Sequence, residues 1–151
     1  MPVIGFGFDK VLVENNTKDS PEKFNKVETH VVIQDIKEEK AGISTKDKLV
    51  RVSFLFELAY LPKLADLKIE SHVDYVGPEK EVKKLLATWK KDRDNMDFEE
   101  VRGMLNLVLV KCNIKALELS QVVNLPPHLP MPLMGKQALS KAPKGPEQYI
   151  G

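Results

Sequence analysis

Hydrophobic and polar residues alternate in four successive segments, with the period of two that sets every second side chain of a strand on one face. In the first, Ile4, Phe6 and Phe8 alternate, and Val11 and Val13 resume after an irregularity near Asp9-Lys10. The second covers residues 27–36, with Val27, Thr29, Val31 and Ile33 on one face. The third places Val50, Val52, Phe54, Phe56, Leu58 and Tyr60 on a face that predicts the core, against Arg51, Ser53 and Glu57 on the other. The fourth sets Leu67, Ile69, Ser71, Val73 and Tyr75 against Lys68, Glu70, His72 and Asp74. Turn-forming runs at residues 15–21 and 61–63 separate the strands, so an antiparallel meander is expected. The charged linker over residues 37–48 departs from a tight hairpin and is expected to form a mobile flap.

After Gly77 the period changes to that of a helix. Pro78 suits a first turn, Glu79 and Glu81 suit its positive end, and Val82, Leu85, Leu86 and Trp89 form an apolar stripe up to residue 91. Residues 92–95 are a polar break, and Asp97 with Glu100 has the spacing of a capping box for a second helix. Phe98, Val101, Leu105, Val108, Cys112, Leu119 and Val123 recur near heptad spacing, widened by Met104, Leu109, Ala116 and Val122. So broad a stripe predicts burial against a sheet and against a partner as well. Leu125-Pro126-Pro127 must stop the helix, because proline lacks the amide donor and disfavours helical backbone just before it. An extended apolar segment, residues 128–134, follows. The expected class is α+β: a four-stranded antiparallel sheet followed by a short and a long C-terminal helix, in one domain over residues 1–134. Residues 135–151, with their Pro, Gly and Lys, are expected to form a mobile tail.

Composition removes several classes of function. The 151 residues are 42% hydrophobic and 30% charged, enough for a core and for solubility. Lys+Arg 23 against Asp+Glu 22 leaves a formal charge of +1, which provides no field for gathering nucleic acid. The N-terminus does not read as a signal peptide, and Lys111, Lys115 and Glu118 interrupt the most apolar stretch, so a cytoplasmic chain without stable membrane insertion is expected. Cys112 is the single cysteine, which fits a reducing compartment and, on an apolar stripe, a packing role rather than a nucleophilic one.

No residue pattern converges on catalysis. Gly5-Phe6-Gly7 lacks the third glycine of a dinucleotide loop and leads into a strand, so these glycines read as sites of twist or close backbone approach. Glu70, His72 and Asp74 share a strand face, yet one strand does not supply the converging groups that metal binding or proton transfer requires. Neither a catalytic residue, a metal ligand nor a cofactor is expected, and an enzyme is the least favoured class.

The order of four strands, a short helix, a break and a longer apolar helix resembles the SecB-like export chaperone family over residues 4–134. Three stretches carry the resemblance: Leu49-Val50-Arg51-Val52-Ser53-Phe54-Leu55-Phe56, the passage Val73-Asp74-Tyr75-Val76-Gly77-Pro78, and the long helix from Met104 through Cys112 into the prolines of residues 125–132. The resemblance implies an ATP-independent holdase that binds unfolded or precursor polypeptides in apolar grooves and assembles as a homo-oligomer, a dimer or a tetramer. It further implies client-binding positions at Val31, Ile33, Leu105, Leu109, Leu119, Val122 and Val123, with adaptable contacts from Leu129, Met131 and Met134. The tail departs from the family in lacking the acidic character and the cysteine-containing zinc motif used for docking to the translocase motor. Two other classes stay open on the residues alone: a carrier enclosing a small apolar ligand, and a non-catalytic oligomeric interaction module.

Overall fold

Each alternating segment forms a strand, and each strand is longer than its alternation. β1 (Val3–Asn15), β2 (Lys26–Glu39), β3 (Asp47–Leu61) and β4 (Ala65–Pro78) form one antiparallel sheet, and α1 (Glu79–Lys91) and α2 (Glu99–Val122) follow. This computed structural model describes residues 3–16, 26–40, 46–62, 65–93, 96, 99–130 and 132. The tail over residues 135–151, Met131, Met134, the capping pair's Asp97, and most of the expected turn after Asn15 lie outside the described residues. The α+β class and the order of a short then a long helix agree with the sequence pattern.

Two expectations about the sheet need correction. The strand order is β1-β4-β3-β2, so only β2, β3 and β4 form a meander, and β1 pairs with β4 at the far edge. Asn15 and Lys26 lie at the same end of the sheet but on opposite edges, opposite Ala65 and Leu61 respectively. At about 4.8 Å per strand spacing the intervening chain has to cross about 14 Å, which the long polar run between β1 and β2 allows and a tight hairpin would not. The charged linker is strand at both ends, where Lys37, Glu38 and Glu39 pair with Arg51, Val50 and Leu49 and Lys48 lies 3.8 Å from Glu38, while residues 41–45 of the expected flap lie outside the described residues.

Register irregularities adjust the faces. β1 shifts between Phe8 and Lys10, where its alternation breaks. β2 shifts between Ile33 and Asp35, and the extra residue turns Ile36 inward, leaving it 5% exposed although it is three positions beyond Ile33.

The core is the face common to β3 and β4. Val50, Val52, Phe54, Phe56, Tyr60, Leu67, Ile69 and Val73 are fully buried beneath the helices. Val82, Leu85 and Trp89 of α1 and Val101, Met104, Val108, Cys112, Ala116 and Ser120 of α2 cover them at helical spacing. Leu105, Leu119 and Val123 of the anticipated stripe are only partly buried, because contact with a twisted sheet follows successive i+4 steps, which drift around the helix.

α2 ends before the prolines. Asn124 adopts φ 58°, Leu125 N–H donates to the Ser120 carbonyl at 2.8 Å and Asn124 N–H to the Gln121 carbonyl at 3.3 Å, the two bonds of a Schellman motif. Asparagine tolerates the left-handed backbone, so the chain reverses there and the prolines only continue the new direction.

Candidate functional site

At the β2 flank of α2 the sheet and the helices leave an open trough of about 520 Å³ lined by Val31, Val32, Ile33, Arg93, Met96, Val101, Arg102 and Leu105. β2 is an edge strand, so among the described residues its outer backbone edge, on one side of the trough, has no neighbouring strand. The inner wall is apolar, and Arg93 and Arg102 stand at the rim. Arg93 is held over the Trp89 ring at 4.4 Å, which fixes the end of α1 beside the opening.

This geometry divides the sequence-predicted positions into groups. Val31, Ile33 and Leu105 meet in the trough. Leu109 lies one helical turn beyond Leu105 and one before Asn113, on the same flank of α2. Leu119 and Val123 belong to the opposite flank: they continue the i+4 series from Lys115, whose Nζ sits 5.5 Å from the Phe8 ring of β1, and the Val123 carbonyl accepts from Asn15 Nδ2 at 2.7 Å. Val122 is 72% exposed at the helix end, and Leu129 is 40% exposed beyond it. Five trough residues were not anticipated: Val32, Arg93, Met96, Val101 as a lining residue, and Arg102. Met96 sits in the polar break between helices, where no periodic signal exists. Val110 and Ile114, 57% and 62% exposed, add an outward apolar stripe along α2.

The segment after the helix is tied back as a strap. Tyr60 Oη donates to the Pro126 carbonyl at 2.8 Å, Leu125 is buried, and His128 Nε2 donates to Asn113 Oδ1 at 2.8 Å. The His128 ring meets Phe56 edge-on, with centroids 6.4 Å apart. Its Nδ1 is buried without a partner among the described residues, and burial pushes the imidazole pKa below its usual value, so the neutral ring suits the site.

The other face of the sheet carries the charged cluster formed around Glu70, His72 and Asp74. Arg51 grips Asp74 through two bonds of 2.8 and 3.1 Å, His72 Nδ1 lies 2.8 Å from Asp9 Oδ1, and His72 Nε2 lies 3.9 Å from Asp74. The close backbone approach anticipated for the glycines is seen at Gly7, where an added Cβ would lie 2.7 Å from His72 Cε1. Gly7→Ala must therefore push the ring from Asp9. Its effect on stability should be more favourable by about 1 kcal/mol in a His72→Ala background than in wild type, and a double-mutant cycle by urea unfolding measures that coupling.

The Arg51 guanidinium, opposed by partial burial, holds the Asp74 carboxyl below the usual carboxylate range. A depressed carboxylate contributes stability fully above its unfolded pKa and loses it as pH falls through the folded one. The stability difference between wild type and Arg51→Gln should therefore be largest near neutrality and shrink below about pH 4, as urea midpoints across pH will show. Cys112 is buried, with a thiol pKa raised by burial and Ser71 Oγ 4.0 Å from its sulfur, which leaves it a packing residue. No described helix is long and apolar enough to cross a membrane, and among the described residues no group of three or more His, Cys, Asp or Glu side chains is placed to hold a metal ion.

No family model and no curated protein matches the chain significantly. Among solved structures, it is similar to a SecB-like chaperone of Mycobacterium tuberculosis in complex with a ChAD peptide from an antitoxin, with 12% identity over 88% of this chain and 90% of that one and a TM-score of 0.44. The likeness is a distant one.

Proposed function

We propose that this protein is an ATP-independent holdase that seats extended, unfolded segments of other polypeptides in the trough between β2 and α2. The open apolar wall formed by Val31, Ile33, Val101 and Leu105 beside an edge strand carries this reading. An unfolded client offers apolar side chains and unpaired backbone together. The wall takes the side chains without demanding one hydrogen-bond pattern, and the free edge of β2 can pair with an extended backbone. Met96 adds a flexible surface that adapts to differing side chains. No covalent step is involved, so neither a catalytic residue nor a cofactor has a part in it.

The outward stripe of Val110 and Ile114 is proposed to face a second copy of the chain, giving a homo-oligomer whose several troughs would hold one client by effective concentration. A small-ligand carrier is less well supported, since Val108, Cys112 and Ala116 fill the space between α2 and the sheet and the trough lies at the flank. The test is aggregation of chemically denatured clients followed by light scattering, with the protein at stoichiometric amounts and no nucleotide. Delay with several unrelated clients is expected; no delay with any of them overturns the reading.

A further inference from the structure

Two cations line the trough, and they come from different helices. Arg93 follows the end of α1 and Arg102 lies in the first turn of α2, while the rest of the lining, Val31, Val32, Ile33, Met96, Val101 and Leu105, is apolar. No acidic side chain is among the described residues that form this lining. Arg93 enters no ion pair among the described residues; its partner is the Trp89 ring, whose centroid lies 4.4 Å from the guanidinium carbon. Trp89 is itself 7% exposed in the core, so the platform under the cation is fixed. A guanidinium that meets an aromatic ring through its face keeps its in-plane N–H donors available for an acceptor, and a carboxylate matches that fork of donors best.

We infer that the trough selects, among apolar client segments, those that carry an acidic side chain beside the apolar ones, and that Arg93 and Arg102 read that charge. This rests on the trough being the client seat. The partner is an extended polypeptide rather than an acidic amphiphile such as a fatty acid. The outer edge of β2, without a neighbouring strand among the described residues, offers a row of backbone hydrogen bonds that a peptide completes and an acyl chain does not. Alternate residues of an extended segment lie on one side about 7 Å apart, so an acidic residue two places from an apolar one shares its side and is presented to the rim while the apolar one meets the wall. A basic residue at that place is repelled, which lets the trough reject segments as well as accept them. Ion pairs at an exposed rim are individually weak, so the charge biases the choice of client while the apolar wall stays tolerant of sequence.

The test titrates the full-length chain into tetramethylrhodamine-labelled peptides of sequence Ser-Leu-Ser-Val-Ser-Xaa-Ser-Val-Ser, with Glu, Gln or Lys as Xaa, followed by fluorescence anisotropy. At low salt the Glu peptide should bind about threefold tighter than the Gln peptide and the Lys peptide about threefold weaker, and the spread should narrow at high salt as exposed charges are screened. Arg93→Gln combined with Arg102→Gln, its fold checked by circular dichroism, should bring the three affinities together. Ile33→Ser, in the apolar wall, should weaken all three alike. The peptide series on wild type decides the matter even where the double variant does not fold. Equal affinities for the three peptides overturn the inference, and this is the result expected if Asp94 and Asp97, outside the described residues, already neutralise the arginines. A preference for Glu that persists in the folded double variant overturns it too, because another cation would then be responsible. In both cases a common weakening by Ile33→Ser leaves the client seat standing. Affinities that Ile33→Ser does not change, or no binding of any peptide, overturn the seat and the inference together.

Discussion

Val108→Asp should unfold the helix layer. Val108 is fully buried at the middle of α2, between the core positions Met104 and Cys112. A carboxylate there has to be protonated, hydrated or expelled, and even the least costly of these routes takes about 4 kcal/mol. At about 2–4 °C per kcal/mol for a chain of this size, a fall of about 10 °C or more in the thermal midpoint is expected by circular dichroism. Val110→Asp is the internal control. Val110 lies two positions on and is 57% exposed, so its stability change should stay within about 0.5 kcal/mol while self-association, read by light scattering, is weakened. A Val108→Asp protein that melts with wild type would show that α2 does not sit on the sheet as described.

Leu105→Glu should have the larger effect on function. Leu105 is only partly buried and lines the trough with Val31 and Ile33, so the folded protein can keep a charge there in contact with water. A docked apolar client would strip that water away. A penalty of about 1.4 kcal/mol corresponds to tenfold weaker holding, and that is the minimum expected from desolvating an unpaired carboxylate. The variant should melt within a few degrees of wild type yet require about ten times more protein for the same delay of client aggregation. Unchanged protection by a folded Leu105→Glu protein would place the client elsewhere. Leu119→Glu provides the contrast: Leu119 lies on the flank that faces β1, and its replacement leaves the trough wall intact.

Most of the layer structure was legible because local periodicity and global burial agree. In β3 and β4 every second residue from Val50 to Tyr60 and from Leu67 to Tyr75 is buried, as alternation predicts for a sheet covered on one side. Val82, Leu85 and Trp89 were equally plain on α1. The C-terminus of α2 was less so. The prolines are strong punctuation, yet Asn124 reverses the chain before they act, and one asparagine between Val123 and Leu125 is a weak signal.

Candidate positions divided in the same way. Periodicity places Leu105, Leu119 and Val123 on apolar stripes, but it assigns no direction around the helix relative to β1 or β2. That direction depends on the crossing of α2 over a twisted sheet, and therefore on which strands flank it. The β1-β4-β3-β2 order puts β2 at an edge beside Leu105 and β1 beside Leu119. The meander anticipated from short connections would have given the sheet different edges. Gly7 was recognised as a place of close approach, but its partner, His72, became visible only through the β1–β4 register.

Residue order alone thus settled the number and kind of elements, the inward faces of β3 and β4 and the apolar character of the long helix, since these follow from side-chain spacing along one stretch of chain. Which strand lies at an edge, which flank of α2 stays open and where the strap leads came from the folded chain. They arise from pairings between residues far apart in sequence, whose free energies depend on the whole sheet and leave no period in any single segment.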